Sequence, residues 1–126
     1  MEHILIIDDS ISVLKLLRAL LEEAGYEVSE ALNGKAGISL CHKEKVDVVI
    51  TDIIMPDKEG LETIRELRQE FLDLKIIAIS GGGFIEPDKY LRLAVKFGAQ
   101  CTLSKPFTRN ELLDALRKVV DGNARP

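Results

Sequence analysis

The stretch LIIDDS, residues 5–10, carries an apolar run directly into two adjacent carboxylates. At about 4 Å and an effective dielectric constant of about 20, two like charges repel each other by on the order of 4 kcal/mol. Asp8 and Asp9 must therefore either point apart into water or share a positively charged partner. The choice depends on which other side chains reach the same end of this predicted strand.

The composition bounds the class of protein. The chain has 126 residues, of which 46% are hydrophobic and 30% charged, and these values are typical of one soluble globular domain. Its net charge is −4 and its 17 Lys and Arg residues are scattered, which argues against direct binding of nucleic acid. No apolar run is long enough for a membrane span, and the N-terminus does not read as a signal peptide. We therefore expect a cytoplasmic protein without membrane contact.

The cysteines and histidines do not predict a metal site. Cys41 and Cys101 are far apart in the chain and form no CxxC or Cys/His spacing. We expect both to be small, buried, apolar side chains. His3 and His42 do not suggest a pair of ligands either.

Five β-rich runs alternate with five segments in which apolar residues recur at helical spacing. The predicted strands are 3–7, 26–31, 46–51, 75–80 and 100–104, and the last helix starts at about Asn110. The first, third and fourth strands are almost entirely apolar, as is typical of strands buried on both faces of a parallel sheet. This order predicts an α/β fold with a doubly wound, five-stranded parallel sheet, (βα)5.

Residues typical of helix ends lie at the predicted boundaries. They are Ser10 before the first helix, Gly25 after it, Asn33-Gly34 before the second, Gly98 after the fourth, and Thr108 with Glu111 at the start of the fifth. These signals support the same division of the chain.

Polar side chains follow the central strands where those strands end. Asp8 and Asp9 follow the first strand, Asp52 the third, Ser80 ends the fourth, and Lys105 follows the fifth. In a doubly wound sheet, ligands bind at the carboxyl ends of the strands. Clustered carboxylates suit Mg²⁺, which takes oxygen ligands together with phosphate oxygens. The Asp52 carboxylate could then act as the nucleophile that accepts a phosphoryl group.

Four pieces of this sequence together resemble the receiver domain of two-component response regulators. They are the acidic pair at 8–9, DIIMPDKEG at 52–60 with its D-x-x-M-P-x-x-x-G pattern, Ser80, and KPF at 105–107. The resemblance covers nearly the whole chain, with a receiver domain over residues 1–121 and a C-terminal tail over 122–126. It implies a flavodoxin-like fold with the strand order 2-1-3-4-5.

The same resemblance implies roles for the site residues. Asp52 would be phosphorylated, and Mg²⁺ would be held by Asp9, Asp52 and the backbone carbonyl of Ile54, with Asp8 assisting through water. Lys105 would contact the phosphoryl group and would precede a cis peptide bond to Pro106. Ser80 would supply its hydroxyl to the phosphoryl oxygens.

The resemblance also implies partners. A sensor histidine kinase or a histidine phosphotransfer protein would donate the phosphoryl group, and a downstream protein would read the result. The surface of the fourth helix, fifth strand and fifth helix would signal. We expect a stand-alone receiver that is a switch rather than an enzyme with turnover, and homodimerisation stays open. The chain could instead be a fragment of a larger regulator or hybrid kinase.

Two features depart from the family pattern: the residue at position 102, and the stretch GGGFIEPDKY at 81–90, which is a few residues longer than usual and rich in Gly. Thr102 stands where receivers usually carry the Tyr or Phe of the switch, and Phe84 or Tyr90 is a candidate replacement for that ring. Ile54 and Gly82 occupy the positions that tune the lifetime of the acyl phosphate. Neither side chain can hydrogen-bond an attacking water, so we expect slow self-dephosphorylation.

Three other functions fit parts of the sequence less well. A flavin-binding protein would need a loop rich in Ser and Thr after the first strand, where this chain has two anions. An aspartyl-phosphate hydrolase would need a second acid at position 54. A phosphorylation-independent interaction module would not need the acidic pair, Asp52, Ser80 and Lys105 together. The glycines at 81–83 lack the spacing of a phosphate-binding loop.

Overall fold

The computed structural model describes residues 2–53, 60–80 and 87–121. The strands are β1 (His3–Ile7), β2 (Glu27–Ala31), β3 (Val48–Asp52), β4 (Lys75–Ser80) and β5 (Cys101–Ser104). The helices are α1 (Ile11–Glu23), α2 (Gly34–Lys43), α3 (Gly60–Glu70), α4 (Pro87–Phe97) and α5 (Arg109–Val120). The predicted alternation of strands and helices is confirmed. The second strand begins one residue later than predicted, and the third spans 48–52 instead of 46–51.

All five strands are parallel and form one sheet in the order β2-β1-β3-β4-β5. Two apolar clusters, one on each face, fix the helices to this sheet. The first cluster joins α1 and α5 to the sheet, and the second joins α2, α3 and α4 to it. The doubly wound fold is therefore confirmed, because parallel crossovers place helices on both faces.

The central strands are buried as their apolar sequences predict. Every residue of β3 is buried, and so are Ile4–Ile7 of β1 and Ile76–Ser80 of β4. Because the interiors of these strands are almost entirely apolar, the polar groups collect at one edge of the sheet. That edge is the carboxyl end of β1, β3 and β4.

The helix ends use the residues that the sequence indicates. The side chain of Ser10 accepts a hydrogen bond from the Val13 N–H, and Thr108 forms a capping box with Glu111. Gly25 and Gly98 follow α1 and α4 with φ angles of 97° and 132°. Such positive angles are accessible to glycine at little cost.

Cys41 and Cys101 differ in burial, which corrects the expectation that both are buried. Cys41 packs in the second cluster, and burial raises the pKa of its thiol to about 11. Cys101 is half-buried because it begins β5, a strand at the edge of the sheet. Burial also raises the pKa of the Cys101 thiol, although a hydrogen bond with the Thr102 backbone and the charge of Lys118 oppose the shift. Within the described residues, no helix is long and apolar enough to cross a membrane.

Candidate functional site

Three carboxylates meet at the carboxyl edge of the sheet. Asp8 directly follows β1 and Asp52 ends β3, and these two strands are hydrogen-bonded neighbours. Together with Asp9 they place carboxylate oxygens within 4.8 Å of one another. The side chains of Asp8 and Asp52 are nearly buried, whereas Asp9 is exposed. The structure thus brings together all three acids that the sequence assigns to a metal site.

The Asp8 carboxylate is held by the chain that follows it. Its Oδ1 accepts a hydrogen bond of 2.8 Å from the backbone N–H of Ser10, the residue that caps α1. Burial raises the pKa of the Asp8 carboxyl above its ordinary value. The hydrogen bond from Ser10 and the charge of Lys105 oppose this shift, and the charge of Asp52 adds to it. Without a further cation, ionised Asp8 is therefore in an unfavourable environment.

Lys105 contacts only one of the two adjacent carboxylates, Asp8, and pairs it with Asp52, while Asp9 is exposed. Its Nζ lies 3.5 Å from Asp8 Oδ2 and 3.4 Å from Asp52 Oδ2, so one ammonium is shared by two acids from different strands. Its backbone N–H donates to the carbonyl of Ser80, which ties the end of β5 to the end of β4. The Lys105–Pro106 peptide bond is cis, as the resemblance implies. The sequence did not indicate that Lys105 pairs with Asp8.

The Ser80 hydroxyl is a further polar group at this edge. The residue is 1% exposed, and its Oγ has no hydrogen-bond partner among the described residues. A buried hydroxyl without a partner costs roughly 1–3 kcal/mol, so such groups are rare unless a ligand satisfies them. Ser80 ends β4, the strand next to the one that ends in Asp52. It is therefore available to an oxygen-rich ligand bound at the acids.

The donor set fits Mg²⁺. Carboxylate oxygens are the ligands that this hard cation takes from proteins, together with water and phosphate oxygens. With all three acids ionised, the charge of Lys105 still leaves an excess of two negative charges at the site. Ile54, whose backbone carbonyl the resemblance adds as a ligand, lies outside the described residues, as does Gly82.

Thr102 lies half-buried on β5, paired with Ala78 of β4. A receiver of the usual pattern would carry an aromatic ring at this position. Position 102 lies on the expected strand, but it carries threonine. Phe84, one candidate for the missing ring, lies outside the described residues. The side chain of Tyr90, the other candidate, also lies outside them.

We expect Asp8→Asn to stabilise the metal-free protein at neutral pH. Because burial raises the Asp8 pKa above 3.8, the folded state binds this proton more tightly than the unfolded state does. The wild type therefore loses stability as the pH rises through the raised pKa, and the variant does not. Urea unfolding without divalent cations, from about pH 4 to about pH 8, measures the difference in unfolding free energy. A difference that shrinks with rising pH would contradict this account.

We expect Ser80→Ala to leave the free energy of unfolding unchanged or to raise it by about 1 kcal/mol. The substitution removes a buried hydroxyl that makes no hydrogen bond within the described residues. Thr51→Ala is the matched control, because the buried Thr51 hydroxyl donates to the Asp52 carbonyl and its loss should destabilise the fold. Urea unfolding of both variants checks the prediction. Equal losses in the two variants would show that the Ser80 hydroxyl is satisfied.

Comparison with known proteins identifies the family that the sequence motifs resemble. The family model described as "Response regulator receiver domain" matches residues 4–117. The chemotaxis protein CheY of Thermotoga maritima is 34% identical over 119 residues, which cover 94% of this chain and 97% of CheY. The transcriptional regulatory protein PhoP of Bacillus subtilis is also 34% identical, over 88% of this chain but 45% of PhoP.

Solved structures share the fold closely. The receiver domain protein of Clostridium thermocellum superimposes with a TM-score of 0.89 at 31% identity, covering 97% of this chain and 96% of that one. The response regulator TrrA of Thermotoga maritima, in complex with Mg²⁺ and BeF, gives 0.83 at 32% identity over 94% and 99%. The chain thus matches nearly all of some relatives and about half of the length of others, such as PhoP. Since the family model spans most of its length, this chain belongs to the response regulator receiver domain family.

Proposed function

We propose that this chain accepts a phosphoryl group on Asp52 from a histidine kinase or a histidine phosphotransfer protein. The observation that carries the proposal is the buried Ser80 hydroxyl, which has no hydrogen-bond partner within residues 2–53, 60–80 and 87–121, beside a strand-end aspartate that already contacts an ammonium. A phosphoryl group brings oxygens that accept from both the hydroxyl and the ammonium.

Phosphoryl transfer requires little covalent chemistry from the protein. An Asp52 carboxylate oxygen forms a bond to phosphorus while the bond from phosphorus to the donor breaks, and the donor leaves with that electron pair. Lys105, 3.4 Å from Asp52 Oδ2, is placed to neutralise charge on the transferred oxygens. Ser80 is placed to donate one hydrogen bond to the product. The assignment of Asp52, Ser80 and Lys105 to these roles rests on their convergence at one edge.

Asp8, Asp9 and Asp52 would hold Mg²⁺ at this edge, with Ile54 as the further backbone ligand that family membership suggests. The bound cation would neutralise charge on the phosphoryl oxygens and lower the repulsion between the acids and the incoming group. The complex of TrrA with Mg²⁺ and BeF supports this part of the proposal, because that protein shares the fold at 32% identity. The raised pKa of Asp8 supports it as well, because burial disfavours the ionised carboxylate more than the Ser10 hydrogen bond and the Lys105 charge favour it.

We propose further that the chain is a switch without catalytic turnover. A hydrolase of this chemistry needs an acid two residues after the nucleophile, and position 54 is Ile. The acyl phosphate should be lost slowly, because neither Ile54 nor Gly82 offers a side-chain hydrogen bond to an attacking water. Slow loss suits a signal that a second protein must read.

The output would be contact with a downstream protein at the surface of α4, β5 and α5. Bonds from the phosphoryl oxygens to Ser80 and Lys105 would favour one of two conformations that exist before phosphorylation. A nearly complete shift requires about 5.5 kcal/mol of differential interaction. Two charge-assisted hydrogen bonds, at about 1.5–3 kcal/mol each, supply an amount of this order.

Intact mass spectrometry after incubation with acetyl phosphate tests the acceptor. We expect the wild type to gain the mass of one phosphoryl group in the presence of Mg²⁺ and to gain little in the presence of EDTA. Asp52→Asn should gain nothing, because the amide is not a nucleophile. The matched control is Asp73→Asn, an acid in the turn before β4, at the opposite edge of the sheet, and this variant should behave as the wild type does. Phosphorylation of Asp52→Asn to the wild-type extent would refute the assignment.

A further inference from the structure

Strand β2 is one of the two edge strands of the sheet. The N–H of Glu27 donates to the Glu2 carbonyl, and the Ala31 carbonyl accepts from the N–H of Asp8. Backbone groups alternate in direction along a strand, so those of Glu27 and Ala31 face β1. The N–H and C=O groups of the even-numbered residues, Val28 and Glu30, therefore point out of the sheet. An edge of this kind is a template for pairing with a further strand.

One side chain of α1 reaches this edge. The Nη2 atom of Arg18 donates a hydrogen bond of 2.8 Å to the carbonyl of Val28, one of the groups that point outward. Its Nε lies 3.1 Å from Glu30 Oε2 and 4.0 Å from Glu22 Oε2. The Nε atom of the guanidinium thus lies near two acids, while Nη2 occupies an acceptor that an incoming strand would need.

The outward edge of β2 can pair with the same edge of a second copy of this chain. If two β2 strands run antiparallel with Ser29 opposite Ser29, Val28 of each copy faces Glu30 of the other. Each such pair exchanges two main-chain hydrogen bonds, so both outward residues of both copies are satisfied. The arrangement is two-fold symmetric and closed, which is the commonest form of homo-oligomer.

We propose that Arg18 blocks this edge and keeps the sheets of two copies apart. Pairing would require the guanidinium to leave the Val28 carbonyl in both copies at once. The negative charges of Glu22, Glu27 and Glu30 lie along the same edge and repel those of a second copy when Arg18 is absent. Arg18 and Glu30 therefore act together, and a test must remove both effects.

The test uses the full chain with two substitutions. Arg18→Met keeps the aliphatic stem of the side chain and removes the guanidinium, and Glu30→Thr replaces the acid by a residue that favours strands. We expect the double variant to gain one concentration-dependent dimerisation step that the wild type lacks, measured by light scattering after size exclusion. Arg18→Met alone should gain the same step in about 1 M salt. At this concentration the Debye length is about 3 Å, so the repulsion between the glutamates of the two copies is screened.

Hydrogen exchange identifies the surface that associates. The amides of Val28 and Glu30 should exchange more slowly in the dimer, by about tenfold or more, which corresponds to about 1.4 kcal/mol of protection. Arg117→Met is the control, because it removes an exposed arginine that pairs with an acid, Asp114, on α5 and lies away from β2. It should associate no more than the wild type does. Dimerisation without protection of these two amides, or no gain in the double variant, would overturn the proposal.

Discussion

Replacement of Gly60 by alanine is expected to lower the free energy of unfolding by about 3 kcal/mol or more. Gly60 is the first residue of α3, and it packs on the end of β3. A Cβ at this position would lie 2.7 Å from the carbonyl carbon of Ile53, and still closer to the Ile53 Cα and the Asp52 carbonyl oxygen. These are backbone atoms of a buried segment, so neither side can yield without moving α3 or the chain that carries Asp52.

The same substitution should slow phosphorylation of Asp52. A displacement of about 1 Å at a reacting group can lower a rate by about a hundredfold. Urea unfolding measures the first effect, and the rate of mass gain with acetyl phosphate measures the second. The two readouts must change together if the close contact positions the acceptor.

Gly25→Ala is the matched control for Gly60→Ala. Gly25 has a φ angle of +97°, which alanine adopts with strain, but a Cβ there meets no atom within 4 Å in the described part of the chain. We expect a loss of about 1 kcal/mol and an unchanged phosphorylation rate. If Gly60→Ala were no more harmful than Gly25→Ala, close packing of α3 on β3 would not be the reason for a glycine at position 60.

The sequence predicted the fold because its strongest signals are local and agree with one another. Apolar runs gave the central strands, helical spacing gave α1 and α5, and caps such as Ser10 and Thr108 placed their first turns. The convergence of Asp8, Asp9 and Asp52 was predictable for the same reason. The carboxyl ends of parallel strands meet at one edge, whatever the helices between them do.

The pairings made by long side chains were not predictable from the sequence. Lys105 reaches both Asp8 and Asp52, and Arg18 crosses from α1 to the Val28 carbonyl. Each contact depends on the relative placement of elements that are distant in the chain, and neither residue type indicates its partner. The half-burial of Cys101 was missed on similar grounds, because it depends on β5 being an edge strand.

The Lys105 ammonium forms ion pairs before any phosphorylation. In the structure its ammonium is shared between two buried acids, so it is already bound when a phosphoryl group arrives. Contact with the new oxygens must therefore compete with these ion pairs. A bound cation would take over part of their charge, which frees the ammonium for the phosphoryl oxygens.

Arg68→Met is expected to lower the free energy of unfolding by about 2–4 kcal/mol. The Arg68 guanidinium, from the last turn of α3, donates to the carbonyls of Phe71 and Leu72 and, by two nitrogens, to the carbonyl of Gly98 after α4. It also donates to the side-chain oxygen of Gln100. Burial lowers the Arg68 pKa from its ordinary value. Methionine keeps most of the stem but removes the guanidinium donors, so that the carbonyls and the Gln100 side-chain oxygen each lose a hydrogen bond.

Arg65→Met, one turn earlier on the same helix and exposed, should cost less than about 0.5 kcal/mol. Arg68→Lys should recover only part of the loss, since an ammonium cannot reproduce the forked geometry of the guanidinium. Urea unfolding of the three variants gives the comparison. The Gln100 side-chain oxygen also accepts from the backbone N–H of Ile76 in β4, so the guanidinium connects α3, the end of α4 and the sheet. If Arg68→Met and Arg65→Met were equally stable, that connection would contribute nothing to the fold.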